Sequence, residues 1–297
     1  MKITLTGSLG NITKPLAETL LAKGHEVKII SSNPGRAEAI KALGAIPLIG
    51  NVADITFLTA AFTGADAIYT MVPPDFSAPR FKAYISEIGK NYAVAIQQSG
   101  IKKVVNLSSI GADLPDGTGP IAGLHQVENT FAQLDGVAIK HLRAGYFFIN
   151  FLANIDMVKH ANILGSNFGA DAKLVLVHPR HIAKVAAETL EGEFSGKSVL
   201  YVANDDQSTA ADVAKTLGAA VGKPELPWIE FSDEEAFNGM TGAGLPEEIA
   251  KNYVEMGDAI RSNRLFTDYY KNRTVLGNIT LQDFAAEFAA VYNSKIP

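Results

Sequence analysis

A short apolar strand at residues 2–6 runs directly into a Gly-x-x-Gly turn, and an amphipathic helix follows at once. Gly7 permits the tight turn, and Gly10 lets the backbone come close to a phosphate group. The helix opens near Thr13, so its unpaired N–H groups and positive dipole end point at the same anion. A second strand at 26–30 completes a β-α-β unit. The pattern predicts that a dinucleotide pyrophosphate is held by Gly7, Ser8, Leu9, Gly10, Asn11 and Ile12.

The glycine pattern is incomplete, because Thr13 stands where the usual fingerprint has its third glycine. A bare pair of glycines also occurs in strand-to-helix turns that bind nothing. The strand on each side of the helix favours nucleotide binding over that alternative.

The turn after the second strand bears on the choice between NAD and NADP. An Asp or Glu at this point accepts hydrogen bonds from the ribose hydroxyls and favours NAD. Here no carboxylate occurs before Glu38, and Ser31, Ser32 and Asn33 can donate hydrogen bonds. Arg36 could pair with a 2′-phosphate, or it could be a solvated residue of the following helix. The missing acid predicts NADP, with NADPH preferred over NADH.

Two further segments are expected to border the cofactor. Asn51 follows the third strand, where the adenine edge should lie, and it either contacts the adenine or forms a turn. The fourth strand ends in Met71-Val72-Pro73-Pro74, and adjacent prolines favour a rigid loop over a helix start. We expect Met71, Val72 and Pro73 to wall the nicotinamide side. Pro74 is expected to contact the substrate.

Strand and helix patterns alternate along the chain, which predicts a Rossmann-type doubly wound parallel sheet of the α/β class. Buried strands are predicted at 2–6, 26–30, 45–49, 66–72, 102–107 and 137–142. Helices are predicted at 14–23, 36–43, 55–63, 79–99 and 122–134. Further on, strands near 173–177 and 198–202 flank a helix near 180–191, and helices are predicted near 233–240, 246–262 and 280–293.

The pattern changes after Gly222, where a proline-punctuated connector begins. We expect a smaller C-terminal α/β lobe, for substrate binding or as a lid, over the open side of the cofactor cleft. This lobe would comprise 149–171 and 223–297. The dinucleotide-binding Rossmann domain would comprise 1–148 and 172–222.

Composition excludes several classes of function. Lys and Arg number 26 against 31 Asp and Glu, and the net charge of -5 argues against nonspecific nucleic-acid binding. The chain has no cysteine, which excludes disulfides, thiolate metal sites and cysteine nucleophiles. With no long apolar run and no room for a signal peptide before the first strand, we expect a cytoplasmic protein without a membrane partner.

Four motifs in order give the chain a resemblance to a known family. They are Thr6-Gly7-Ser8-Leu9-Gly10, the turn at 31–36, Leu107-Ser108-Ser109-Ile110-Gly111-Ala112 and Leu142-Arg143-Ala144-Gly145-Tyr146-Phe147-Phe148-Ile149-Asn150. Together they resemble the NmrA-like branch of atypical short-chain dehydrogenases/reductases, over essentially the whole chain. The resemblance implies an NADPH-dependent reductase of quinones, azo dyes or triphenylmethane dyes. Other members of that branch are dinucleotide-sensing regulators with little or no catalysis.

The main dehydrogenase family uses a Tyr-x-x-x-Lys pair that this chain lacks. His125 and Asn129 stand in the expected places. His125 either donates a proton at the nicotinamide face and touches the substrate, or it is an ordinary helix residue with a local hydrogen bond. The family's catalytic serine would be Ser108 or Ser109, and Ser108 is also expected at the cofactor.

Two more groups of residues have alternative interpretations. Tyr146 and Phe147 would stack on a planar substrate or pack into the core at the end of the sixth strand. His178 and His181 resemble a metal-ligand pair, but no third ligand is close in sequence. We therefore assign these histidines to a strand-to-helix turn and expect no metal.

A site without a tuned acid suits acceptors that spread the incoming charge through a conjugated system. The sequence therefore predicts hydride transfer from NADPH to a small conjugated acceptor such as a quinone or dye. The alternative is a nonenzymatic NADP(H)-sensing regulatory protein of NmrA type, whose lid changes partner binding. A homodimer or a protein partner is compatible with both.

Overall fold

The computed structural model describes residues 1–274 and 276–294 and has a seven-stranded parallel sheet at its centre. The strands in chain order are β1 (Lys2–Leu5), β2 (Glu26–Ser31), β3 (Ile46–Ile49), β4 (Ala67–Thr70), β5 (Lys103–Ser109), β6 (Ala138–Ala144), β7 (Tyr146–Phe147), β8 (Leu164–Ser166), β9 (Leu176–Val177), β10 (Lys197–Val202) and β11 (Trp228–Glu230). The spatial order of the main sheet is β10-β6-β5-β4-β1-β2-β3. Two small parallel pairs, β7 with β9 and β8 with β11, lie outside it.

Twelve α-helices are found within the described residues. They are α1 (Thr13–Ala22), α2 (Ala37–Ala42), α3 (Ile55–Phe62), α4 (Phe81–Ser99), α5 (Pro120–Ala132), α6 (Ile155–His160), α7 (Pro179–Glu191), α8 (Ala210–Ala220), α9 (Asp233–Gly242), α10 (Glu247–Arg261), α11 (Thr267–Lys271) and α12 (Leu281–Ser294). Short 3₁₀ turns occupy Pro34–Arg36, Phe148–Asn154 and Arg264–Phe266. In the part of the chain that the structure describes, no helix combines the length and apolarity that a membrane crossing needs.

Both faces of the sheet are covered by helices, which explains why consecutive side chains are buried in its central strands β1 and β4. On one face Leu5 packs with Leu16 of α1 and Ile182 of α7. On the other face Ile68 packs with Ile96 of α4, in a cluster that also includes residues of α3 and α5. Burial on two sides therefore fixes the middle layer of a three-layer α/β/α arrangement.

The strand order reverses between β1 and β4, since β2 and β3 extend the sheet on one side and β5 and β6 on the other. In open parallel sheets the loops at such a reversal separate and leave a crevice at the carboxyl ends of the strands. The Gly-x-x-Gly turn after β1 and the proline loop after β4 both start at this crevice.

The predicted fold class and all six predicted strands of the first half are confirmed, with shifts of one or two residues at their ends. The strand predicted at 173–177 is shorter than expected, because only Leu176–Val177 forms a strand, and it pairs with Tyr146–Phe147. Gly145 allows this close approach: a Cβ there would lie 2.5 Å from the Val175 carbonyl oxygen. The short elements β8, α6 and α11 were missed by the sequence patterns.

Side chains of α10 join the C-terminal helices to the sheet domain. Glu248 Oε1 accepts a hydrogen bond from the Phe81 backbone N–H at 2.9 Å, which caps the start of α4. Lys82 donates to Glu255 at 2.8 Å.

The predicted division into two units stays a prediction, and Val275 and residues 295–297 of the smaller unit lie outside the described residues.

Candidate cofactor and acceptor site

A cavity of about 900 Å³ opens at the carboxyl ends of β1 and β4. Fifteen of the predicted site residues line it: Gly7, Ser8, Gly10, Asn11, Ile12, Ser31, Ser32, Asn51, Met71, Val72, Pro73, Pro74, Ser108, Tyr146 and Phe147. Four others, Leu9, Asn33, Arg36 and His125, are not part of its lining. The volume is at the upper end of the range for small-molecule and cofactor pockets.

The glycine turn after β1 has the backbone geometry that close contact with an anion requires. Gly7 has φ +93°, and a Cβ on it would lie 2.5 Å from the Thr13 hydroxyl oxygen. A Cβ on Gly10 would lie 2.9 Å from the Gly7 carbonyl oxygen. Within the described residues, α1 begins without a side-chain cap. In the first turn of α1, Lys14 N–H and Leu16 N–H bond to the carbonyl oxygens of Gly10 and Ile12, and Pro15 has no N–H. The positive end of the helix dipole still points at the turn, and the turn therefore fits a pyrophosphate.

Thr13 takes the place of the third glycine without opening the turn. Its hydroxyl donates a 2.8 Å hydrogen bond to the Thr6 carbonyl oxygen, and the side chain is buried. The third glycine usually serves close helix–strand packing. Here a hydrogen bond between the first turn of α1 and the end of β1 performs that role.

The turn after β2 has the acid-free lining that its sequence predicts. Ser8 Oγ donates to Ser31 Oγ at 2.9 Å, and Ser31 and Ser32 line the cavity. Asn33 Oδ1 accepts from the Gly35 N–H at 2.9 Å and caps the 3₁₀ turn. Arg36 is exposed, and it forms no ion pair with any residue that the structure describes.

Asn51 forms a turn and also lines the cavity. Its Oδ1 accepts a 2.9 Å hydrogen bond from the Ala53 N–H, so the turn alternative is realised. Leu9 packs against the core cluster of β1 and α1 instead of facing the cavity.

The loop after β4 is anchored at its carbonyl groups. The Tyr92 hydroxyl donates to the Met71 carbonyl oxygen at 2.8 Å, and the Tyr84 hydroxyl donates to that of Pro73 at 2.9 Å. Thr6 Oγ1 accepts from the Met71 N–H at 2.8 Å. Two tyrosines of α4 therefore hold the proline loop against the cavity.

Aromatic residues from distant parts of the chain form the wall that would face an acceptor. They are Phe76, Phe81, Tyr84, Tyr146, Phe147, Tyr253 and Phe266. Burial raises the pKa of Tyr146 to about 12, and Tyr253 adds to the rise. Burial also raises the pKa of Tyr253. Both phenols are therefore neutral at physiological pH and can donate hydrogen bonds.

Several of these wall residues were missed in the sequence because they lie on α10 or after it. Tyr253, Met256, Leu265 and Phe266 reach the cavity from more than 100 residues beyond Phe147, the last strand residue that lines it. The only local signal was the amphipathic pattern of α10, which does not indicate the surface it covers.

Ser108 lines the cavity and is held from behind by a buried ion pair. Its Oγ donates to Glu128 Oε1 at 2.6 Å. Arg143 Nη2 donates to Glu128 Oε2 at 2.7 Å. Burial alone would lower the pKa of Arg143, but the hydrogen bond and charge of Glu128 outweigh it and raise that pKa. Arg143 therefore remains charged and keeps Glu128 in position.

His125 lies on α5 with both ring nitrogens engaged. Its Nδ1 is 2.8 Å from the Ala112 carbonyl oxygen, and its Nε2 is 2.8 Å from Asn129 Nδ2. A neutral ring with its proton on Nδ1 satisfies both contacts. The structure therefore places His125 away from the cavity lining in a local hydrogen-bond arrangement. Its catalytic role stays a prediction.

One of the two histidines near 180 serves the helix start, and His181 lies in the first turn of α7. His178 Nδ1 accepts from the Arg180 N–H at 3.0 Å and caps α7. In the described ranges no group of three His, Cys, Asp or Glu residues could hold a metal ion.

Comparison with known proteins shows which proteins this chain is similar to. Residues 7–141 match the NAD(P)H-binding family. This finding confirms NAD(P)H binding, as the turn after β1 predicts. Fold and sequence neighbours include quinone oxidoreductases and dye reductases, which is consistent with the NmrA-like resemblance.

Three relatives illustrate the similarity. The chain is 25% identical over 256 residues to the NAD(P)H azoreductase of Xenophilus azovorans, covering 86% of this chain and 85% of the relative. It shares its fold with the Citrobacter sp. triphenylmethane reductase complexed with NADP(H), at TM-score 0.81 and 20% identity, covering 96% and 99% of the two chains. An NADPH-dependent quinone oxidoreductase from Escherichia coli, complexed with NADPH, has TM-score 0.75 and 19% identity, with 96% and 99% covered.

Proposed function

We propose that this protein is an NADPH-dependent reductase that transfers hydride to a conjugated acceptor such as a quinone or a dye. The observation that carries the proposal is one cavity that combines a phosphate-binding turn with aromatic walls. A site of this composition holds a dinucleotide and a flat apolar molecule in one enclosure. The names of the relatives, an azoreductase, a quinone oxidoreductase and a triphenylmethane reductase, support the same reaction class.

The residues of this chain would act mainly by positioning. Bound NADPH supplies the hydride. The proline loop and Tyr146 would press the acceptor into contact with it, and this proximity is the main source of acceleration. Tyr146 and Tyr253 stay protonated and donate hydrogen bonds to an acceptor oxygen or nitrogen. A Tyr-x-x-x-Lys pair is absent from the sequence, so the site suits acceptors whose added charge is delocalised.

The preference for NADPH over NADH is part of this proposal. The support is the acid-free turn after β2 together with Arg36 at its end. A phosphate on the ribose would find hydroxyl donors and a guanidinium there, whereas NADH would find no carboxylate for its 2′-hydroxyl.

A panel of acceptors tests the reductase proposal. Purified protein should oxidise NADPH when a quinone or a dye is added and should leave a simple aliphatic ketone unreduced. The ketone needs strong proton donation to a developing alkoxide. Fast ketone reduction would contradict the proposed site chemistry.

The second candidate is a sensor of NADP(H). Tyr253 and Met256 place α10 in the wall of the cavity, so cofactor binding can change the C-terminal helices. A sensor binds NADPH without acceptor-dependent oxidation across the whole panel. It also shows a cofactor-dependent change in hydrogen exchange over residues 225–280, of which Val275 lies outside the described residues.

A further inference from the structure

The lining of the cavity is almost free of charge. Among the described residues that form it, Asp75 is the only one with an ionisable side chain other than tyrosine. A flat conjugated molecule against the aromatic wall of the cavity therefore meets one fixed charge from the lining residues, and that charge is negative. The negative charge of Asp75 therefore constrains the acceptor independently of the aromatic wall.

Local hydrogen bonds fix the Asp75 carboxylate. Its Oδ1 accepts from the Ser77 N–H at 2.9 Å and from the Ser77 hydroxyl at 2.6 Å. These two bonds lower the pKa of Asp75, so it is ionised at neutral pH. Across residues 1–274 and 276–294, no Lys, Arg or His forms an ion pair with it. Arg80 is exposed nearby in the sequence but does not neutralise it by direct contact.

Asp75 stands among aromatic groups of the acceptor wall. Phe76 is exposed at the cavity and its ring centroid lies 6.0 Å from that of Phe81. Burial raises the pKa of Tyr84, and the charge of Asp75 raises it further, which places the carboxylate close to that phenol. Glu248, which caps Phe81 from α10, adds a second negative charge behind the same wall.

We propose that Asp75 makes this site selective for cationic conjugated acceptors over anionic ones. The inference rests on the proposed reductase function and specifies the charge of its substrate. A delocalised cation would stack on the aromatic wall while its charge is attracted to the carboxylate. A sulfonated acceptor of the same size would be repelled.

The reaction itself decides which kinetic constant Asp75 affects. Hydride transfer breaks the C4–H bond of the dihydronicotinamide and forms a C–H bond on the acceptor. The electron pair moves with the hydrogen, so the cationic acceptor becomes neutral and the nicotinamide ring becomes cationic. Attraction to Asp75 is therefore strongest before the transfer and is lost from the reduced acceptor. The carboxylate lowers KM for cations and does not raise kcat.

Asp75→Asn is the variant that tests this inference, because asparagine keeps an oxygen that can accept both bonds from Ser77. Three acceptors are compared with NADPH in excess: a cationic triphenylmethane dye, an uncharged quinone and a sulfonated azo dye. The quinone measures any change due to altered shape. After correction for any change with the quinone, we expect Asp75→Asn to raise KM about fivefold for the cationic dye and to lower KM for the sulfonated dye. The kcat for the cationic dye should not fall. Asp135→Asn, which removes an exposed carboxylate outside the cavity, is the matched control.

Binding without turnover separates this inference from the proposed function. The Kd of each dye is measured by titration into protein saturated with NADP⁺, in which no hydride can be transferred. If the cationic dye binds more tightly than the sulfonated one and Asp75→Asn reduces the difference, the inference holds even when no acceptor is reduced. Three outcomes overturn the inference: Asp75→Asn changes KM equally for all three acceptors, it leaves the ratio of the two dyes' Kd values unchanged, or the cationic dye does not bind.

Discussion

The Ser108 hydroxyl donates its hydrogen to Glu128 Oε1 at 2.6 Å, and Glu128 is in turn held by Arg143 through hydrogen bonds of 3.1 and 2.7 Å. The hydrogen of Ser108 is thus directed away from the cavity. Toward the cavity Ser108 can offer only oxygen lone pairs, which accept from an N–H group such as that of a carboxamide. This arrangement favours a role for Ser108 in holding the cofactor rather than in donating a proton.

Glu128→Gln should destabilise the protein by about 3 kcal/mol, since it leaves the buried Arg143 guanidinium with one charged partner fewer. Arg143 keeps its contacts with Tyr201 at 3.0 Å and Asp268 at 3.3 Å, which limits the loss. Urea unfolding measures the change. Glu38→Gln, in an exposed pair with Lys41, is the control and should cost less than about 1 kcal/mol. Equal effects of the two variants would show that the buried pair has no special importance.

Arg36→Ala should narrow the preference for NADPH over NADH. A charge-assisted contact with the 2′-phosphate predicts a roughly tenfold weaker Kd for NADPH and little change for NADH. Titrations of both nucleotides check this result. Lys41→Ala removes another exposed cation, five residues further on, and serves as the control. If the unmodified protein binds both nucleotides equally, the proposed preference is wrong.

Gly10→Ala should weaken NADPH binding at least about tenfold while the protein stays folded, and Gly10→Val should abolish binding. The added Cβ would lie 2.9 Å from the Gly7 carbonyl oxygen and would reshape the turn where phosphate must approach. Gly239→Ala in α9, where a Cβ meets no atom within 4 Å, is the control. Normal NADPH binding by the Gly10 variants would mean that this turn does not hold the pyrophosphate.

His125→Ala separates the two interpretations of that histidine. Both ring nitrogens already have partners, and the ring is not part of the cavity lining, so we expect kcat to fall by less than about threefold. Loss of a true general acid would lower kcat by about 100-fold or more. Steady-state kinetics with a quinone acceptor decides between them, and a large fall in kcat with an unchanged melting temperature would establish the catalytic role.

Alkaline pH should destabilise the protein through its buried tyrosines. Burial raises the pKa of Tyr146 to about 12, while in the unfolded chain this phenol titrates near its ordinary value of about 10. Stability from the neutral phenol is therefore fully present below about pH 10 and declines by up to about 1.4 kcal/mol per pH unit between about pH 10 and 12. Unfolding followed by the fluorescence of Trp228, the single tryptophan, measures the slope. Tyr146→Phe should reduce it, and an identical slope in the variant would contradict the assignment.

Local sequence determines the strands and helices of the fold and the glycine turn at the phosphate end of the site. Gly7 and Gly10 lie three residues apart, and the turn they form depends mainly on their own backbone freedom and on the adjoining strand and helix. In β1 and β4 consecutive side chains are buried because both faces are covered, and their mainly apolar composition predicts that burial. For these parts the pattern in the sequence and the structure have the same physical origin.

The acceptor half depends on contacts between segments far apart in the chain. Tyr253 and Asp75 line the same cavity although 178 positions separate them, and no local pattern encodes that distance. His125 occupies the place of a catalytic tyrosine in the sequence, yet the Ala112 carbonyl and Asn129 engage its ring at a local site. The sequence by itself thus determined the strands and helices of the fold and the phosphate-binding turn, because backbone conformation and burial act within a few residues. Only tertiary packing decided which side chains face the acceptor, because orientation depends on the partners that each helix finds.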